Sequence, residues 1–154
     1  MKSLIIAEKS SVASDIARAL GGFSKTGSVF ERDDLVISSA VGHLVALSAS
    51  AVTKSLNDLP VIPEVFDLDV IERTADQFNV LKRLMGRSDV GTVINACDAG
   101  REGELIFRLI ARKAGCTKPV KRMWVQSMTA DSLRDAFDHA KSGRDYDALA
   151  DAAV

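Results

Sequence analysis

The sequence has little of what marks the specialised classes of small protein. It holds two cysteines in 154 residues, Cys97 and Cys116, 19 positions apart. Neither belongs to a CxxC pair and no histidine lies at ligand spacing, so a disulfide framework and a structural zinc site are not expected. Cys97 reads instead as a small apolar residue at a strand end. No apolar run approaches the ~20 residues that span a bilayer. The short apolar stretch after Lys2 meets Glu8 too soon for a signal peptide. These absences predict a cytoplasmic protein with no membrane partner. Basic charge is not in excess either: 20 Lys and Arg against 21 Asp and Glu leave a net charge of −1. A nucleic-acid partner would therefore need clustered basic residues or a surface supplied elsewhere. Solenoid repeats and low-complexity segments are absent, and so are the GK[ST] of a P-loop and a GxGxxG turn.

What is present is the composition of a soluble domain, 47% hydrophobic and 27% charged, with length enough for one proper core. Residues 4–7 read as a fully buried strand. Ser10 or Ser11 is the expected N-cap of a helix whose stripe is Val12, Ala13, Ile16, Ala17 and Leu20. Gly21-Gly22 ends it. Residues 28–32 and 35–40 read as strands joined at Asp33-Asp34. Residues 48–65, with Pro60 and Pro63, read as a long surface connection. The alternating FDLDVI at 66–71 reads as an edge strand. A helix over 75–85 follows, then a second buried strand at 92–96. The next helix carries Leu105, Ile106, Leu109 and Ile110 and ends at Gly115. Residues 122–125 are a third central strand. Thr129 caps a last helix with Leu133, Phe137 and Ala140 inward, closed by Gly143. Strands alternating with helices of 10–15 residues predict an α/β fold with a largely parallel central sheet flanked by helices and right-handed crossovers.

Two segments share one plan. IIAEKSSVASDIARAL (5–20) and NACDAGREGELIFRLI (95–110) each run from an apolar strand through a carboxylate and a basic residue into an amphipathic helix. Ligand sites of parallel α/β sheets lie outside the carboxyl ends of the strands. Neighbouring strands lie about 4.8 Å apart. If the strands ending at Glu8 and Asp98 pair, or sit one strand apart, both carboxylates come within reach of one ion. Glu102 falls in the first turn of the following helix and adds a third. Oxygen ligands without histidine or thiolate suit a hard cation such as Mg²⁺, which completes its shell with water and phosphate. Phosphate esters are then the expected substrate class. Each acid taken alone is equally accounted for as a helix-start residue, worth about 0.3–1 kcal/mol through the dipole. Glu8, directly after a buried strand, gains least from capping. Arg101 is electrostatically misplaced at a helix N-terminus unless an anion binds there.

The IIAEK start together with ACDAGREGE resembles the Toprim module. The whole arrangement resembles the N-terminal domain of a type IA DNA topoisomerase, closest to the topoisomerase III branch. AVGHLVAL from position 40, KRMWVQSMT at 121–129 and SGRDYDALADAA at 142–153 are similar to further segments of that family. The resemblance implies a Toprim (Rossmann-like) fold over 1–143, with 144–154 beginning a helix toward the missing remainder of the enzyme. It implies that Glu8 is a Mg²⁺ ligand and proton shuttle and that Lys9 steadies the scissile phosphate. It implies that Asp98 and Glu102 are metal ligands and that Arg101 and His43 lie against a single-stranded DNA segment. One departure stands out: Gly100 replaces the second acid of the family's Asp-x-Asp pair. Either Glu104 compensates or one ion suffices.

Type IA enzymes cut and reseal one strand through a tyrosine, without ATP. The only tyrosine here, Tyr146, lies between Asp145 and Asp147 and reads as structural. The resemblance therefore puts the nucleophile in a later domain of the same polypeptide, and these 154 residues alone are expected neither to cleave nor to relax DNA. Toprim modules also resemble parts of nucleases and primases, and a non-catalytic DNA-binding or recombination-mediator module is the third reading. Outside the acids, Trp124 is expected as core packing on a strand, Arg108 and Arg112 as solvated charge, and His139 as an ordinary surface residue.

Overall fold

The computed structural model describes residues 1–48 and 67–153. Most of the long connection expected at 48–65 lies outside the described residues. Strand β1 (Lys2–Ala7) is followed by α1 (Ser10–Leu20), β2 (Ser24–Thr26), β3 (Val29–Glu31), β4 (Leu35–Ser39) and β5 (Val45–Leu47). Then come β6 (Leu68–Val70), α2 (Ala75–Gly86), β7 (Val90–Ala96), α3 (Arg101–Ala114), β8 (Val120–Arg122), α4 (Ala130–Asp138), β9 (Lys141–Ser142) and α5 (Asp147–Asp151).

The main sheet has the order β2-β3-β4-β1-β7-β8-β9. Its four central strands, β4, β1, β7 and β8, are parallel. Antiparallel strands extend both edges. The expected α/β class and parallel centre are therefore present. The continuous apolar run of β1 is explained by layers on both faces. Leu4 and Ile6 join the cluster containing Phe78, Leu81, Phe107 and Ile110, beneath α2 and α3. Ile5 and Ala7 join Val12, Ile16, Met123 and Leu133, beneath α1 and α4.

Several elements differ from the sequence-based expectation. Helix α1 starts directly at Ser10, with Lys9 in the cap position and no side-chain cap. The Lys9 carbonyl already accepts the first helical bond, from the Ala13 N–H, so neither serine is free to sit outside the helix. Of the expected strand at 66–71, residue 66 lies outside the described residues, and the described part carries β6, which pairs with β5 in a separate two-stranded sheet rather than edging the main one. The third central strand is β8, displaced toward the N-terminus from 122–125. It leaves the sheet after the Met123 N–H reaches the Asn95 carbonyl, where the chain beyond β7 turns into an elbow whose Cys97 and Asp98 carbonyls accept from the Arg122 guanidinium. Helix α4 ends at Asp138 rather than running to Gly143, and the chain turns back to pair β9 with β8. Thr129 caps α4 as expected, its Oγ1 accepting from the Ser132 N–H. Gly21 and Gly22 stop α1 at φ of 71° and 81°, a conformation that favours glycine.

Candidate functional site

Strands β1 and β7 are adjacent and in register, with Ala7 opposite Ala96. Their exits therefore stand side by side. Glu8 is 7% exposed although charged, and its Oε2 accepts from the Asp98 N–H at 3.2 Å. The Asp98 side chain is half exposed. Lys9 projects between them, its Nζ 3.9 Å from Glu8 Oε1 and 3.8 Å from Asp98 Oδ2. One ammonium thus already shares both carboxylates.

Glu102 and His43 lie together on the neighbouring rim, with His43 Nε2 3.5 Å from Glu102 Oε1. Arg101 is exposed and directs Nη1 toward the Ala152 carbonyl at 3.5 Å. Glu8, His43, Asp98, Arg101 and Glu102 line one open pocket of about 650 Å³, bordered by Ala152 and Ala153 at the end of the described chain.

Two glycines shape the elbow differently. A Cβ on Gly103 would meet the Asp98 carbonyl oxygen at 2.1 Å. The first turn of α3 rests on the Asp98 backbone, and only glycine permits it. Gly100, in the α3 cap position, has φ of 167°. A Cβ there would meet nothing within 4 Å. The position where the resemblance leads one to expect an acid is thus open to any side chain.

Behind the elbow is a polar cluster that sequence reasoning missed. Arg122 and Glu104 are 1% and 2% exposed. Arg122 Nη2 donates to the Asp98 carbonyl at 2.7 Å, and Nη1 donates to the Cys97 carbonyl at 2.7 Å. Arg122 Nε stands 3.0 Å from Glu104 Oε2 as an ion pair, yet it is not aligned to donate and has no hydrogen bond. Glu104 accepts from Asn95 Nδ2 at 3.0 Å and from Arg108 Nε at 2.9 Å. Arg108 continues to Asp147 Oδ1 at 2.8 Å and the Gly143 carbonyl at 3.1 Å. Burial pulls the Arg122 pKa below its ordinary value, with the Glu104 carboxylate opposing the shift. Burial likewise pushes the Cys97 thiol far above the usual thiol range.

Glu104 is therefore engaged on both oxygens inside the protein, where it cannot substitute for the acid missing at Gly100. Arg108 is part of this cluster rather than solvated charge. Trp124 lies beyond β8, stacked on Tyr146 at a centroid distance of 5.3 Å and under Arg122 at 5.0 Å. In the sequence, Arg122 is marked only by its place in KRMWVQSMT, where nothing distinguishes a buried arginine from a solvated one.

The donor set suits a hard cation. Two carboxylates face a point that a positive charge already occupies, and Mg²⁺ commonly takes only one or two carboxylates with water. The pair Glu8 and Asp98 fits one such ion. Glu102 turns to His43, and among the described residues no three His, Cys, Asp or Glu side chains converge on one point.

A family model described as the Toprim domain matches residues 3–128. The chain belongs to the Toprim domain family. Over 99% of its length it is 43% identical to the DNA topoisomerase 3 of Shouchella clausii and 40% identical to that of Bacillus subtilis. It covers 22% of each of those relatives, so this Toprim chain spans about a fifth of their length. The full-length topoisomerase I of Thermotoga maritima has the same fold over 90% of the chain and 21% of that protein, with a TM-score of 0.62 and 22% identity. No described helix of the Toprim chain is long and apolar enough to cross a membrane.

Proposed function

We propose that this Toprim chain is the ion- and phosphate-handling part of a type IA DNA topoisomerase, acting on a single-stranded DNA segment together with other domains of the same polypeptide. The observation that carries the reading is the pairing of Glu8 and Asp98 at the exits of adjacent, in-register strands with Lys9 between them. Similarity to DNA topoisomerase 3 along 99% of the chain supports it.

Glu8 and Asp98 are the proposed Mg²⁺ ligands, with Glu102 on the rim able to approach through water. When bound, the ion supplies positive charge against which phosphoryl oxygens are held. Lys9 is exposed on a flexible stem beside both acids and is suited to meet the scissile phosphate as a point charge. Glu8, largely buried at the exit of β1 with Lys9 and Asp98 beside it, is the group proposed to move a proton to and from the ribose oxygen. Arg101, at the N-terminus of α3, faces the open pocket where an anion also gains from the helix dipole. His43 completes the proposed DNA rim. Residues 144–154 are taken as the start of the path to the remaining domains.

Tyr146 is not the proposed nucleophile. Its ring stacks on Trp124, and Asp145 and Asp147 flank it, so an approaching phosphate meets like charge. The test is a pair of assays on the isolated chain. Titration calorimetry should detect Mg²⁺ binding that Asp98→Asn removes. Supercoiled plasmid should stay unrelaxed and single-stranded DNA uncut. Relaxation abolished by Tyr146→Phe would overturn the assignment of the nucleophile. Metal-dependent cutting of single-stranded DNA, lost in Asp98→Asn, would replace the topoisomerase reading with a nuclease. Absence of Mg²⁺ binding in wild type would favour a non-catalytic module.

A further inference from the structure

The buried Arg122 has no part in the chemistry proposed above, yet it reaches the centre of the site from behind. The Asp98 backbone is held on both sides, through the peptide group before it and the one after it. Its N–H donates to the Glu8 carboxylate at 3.2 Å, and its C=O accepts from Arg122 Nη2 at 2.7 Å. The same guanidinium takes the Cys97 and Asn95 carbonyls at 2.7 and 3.2 Å. Three acceptors at the end of β7 are thereby turned toward one side chain. Glu104 balances the charge, and Asn95 and Arg108 fix Glu104 in turn. A buried arginine is a costly way to satisfy carbonyls unless its planar fork sets their direction.

We infer that Arg122 is a positioning residue: with Glu104 as its counter-charge, it aims the Asp98 elbow so that the Asp98 and Glu8 carboxylates face one point. For the cation itself this rests on the proposed ion-binding reading; for the elbow geometry it does not. A lysine in its place retains the charge but lacks the fork that holds two carbonyls at once. The Cys97–Asp98 peptide, whose carbonyl Arg122 holds and whose N–H meets Glu8, would then turn away from Glu8, and the shared point between the carboxylates would widen.

The experiment uses the 154-residue chain in solution and two NMR readouts. The first is hydrogen exchange at the Asp98 amide without metal, which reports its bond to Glu8. The second is line broadening at the Glu8 and Asp98 amides on titration with Mn²⁺. Arg122→Lys should speed exchange at Asp98 and weaken Mn²⁺ binding by roughly 10–100-fold, the range seen when groups supporting a ligand are removed. Leu133→Ala, a buried change on α4 facing the other side of the sheet, is the stability control and should alter neither readout specifically. If Arg122→Lys does not fold, Glu104→Gln, which keeps the shape and removes the counter-charge, should change both readouts in the same direction. Slow Asp98 exchange and unchanged Mn²⁺ affinity in a folded Arg122→Lys or Glu104→Gln protein would overturn the inference. If wild type shows no broadening at Glu8 or Asp98, the ion-binding reading fails, and the exchange measurement still decides whether Arg122 positions the elbow.

Discussion

At the amino ends of the parallel strands, charges close on one another; in the open pocket at the carboxyl ends, in front of the buried Arg122–Glu104 pair, they stand wider apart. Near the start of β1 and β7, Lys2 Nζ is 2.6 Å from Glu31, Arg87 spans Glu31 and Asp89 at 2.6 and 2.7 Å, and each contact is a hydrogen bond. These bonds to Arg87 and Lys2 lower the Glu31 pKa to about 2, and Arg87 does the same for Asp89. At the opposite end, Lys9 lies 3.8–3.9 Å from its two acids, and His43 is 3.5 Å from Glu102. These spacings exceed those of charge-assisted hydrogen bonds, which fall at ~2.7–2.9 Å. Charges satisfied by one another clamp a fold. Charges left wider apart, on side chains that are mostly exposed, retain capacity for a ligand.

That contrast breaks most sharply when the acids of the carboxyl end are neutralised. The double variant Glu8→Gln, Asp98→Asn should weaken Mg²⁺ by more than about 100-fold in calorimetry, beyond the usual effect of supporting groups, while its thermal unfolding stays near wild type. Gly103→Ala attacks the same end through packing. The added methyl would enter the Asp98 carbonyl, so unfolding should reveal a loss of about 3 kcal/mol, at the upper end for overpacking, with ion binding lost as well.

At the amino end, Glu31→Gln should cost about 1 kcal/mol at neutral pH, after allowance for solvent screening of a partly exposed pair. The sign follows from the lowered pKa. The stabilisation is full above the ordinary value of 4.5 and disappears as pH falls toward about 2. Denaturant melts of wild type across that window should therefore weaken more than those of Glu31→Gln. The smallest effect is expected at Gly100→Asp. An acid in a cap position with open space should gain a few tenths of a kcal/mol, and Mg²⁺ should bind more tightly to a site with a further carboxylate.

The contrast also explains what the sequence revealed and what it hid. The strands at 4–7 and 92–96 and the acids just after them were legible because burial on both faces keeps charge out of both segments and makes 4–7 apolar throughout. Adjacent placement of β1 and β7 then follows from topology, and with it the meeting of Glu8 and Asp98. Glu102 was assigned by helix-turn position, which fixes the backbone but leaves the side chain free to turn to His43. Arg122 and Glu104 were illegible because a buried charge in a strand or helix looks like any solvated one until its partners are known. They are 18 positions apart, and only the pairing of β8 with β7 brings them together. The β8 boundary differs because the apolar pattern runs on past Arg122 to Val125, whereas the ladder with β7 ends where Arg122 faces Asn95. The short antiparallel edges β2 and β9 were missed because two or three exposed residues carry no periodicity.

The two glycines of the elbow have different prospects under mutation. Position 103 admits one residue, because its Cα rests against the Asp98 carbonyl. Position 100 faces open space with an extended backbone, and glycine and aspartate codons can differ by a single base. An acid can therefore be lost or regained at position 100 in one step without passing through an unfolded intermediate. A lineage carrying this domain is free to change the charge of its ion site while the elbow that supports it stays fixed.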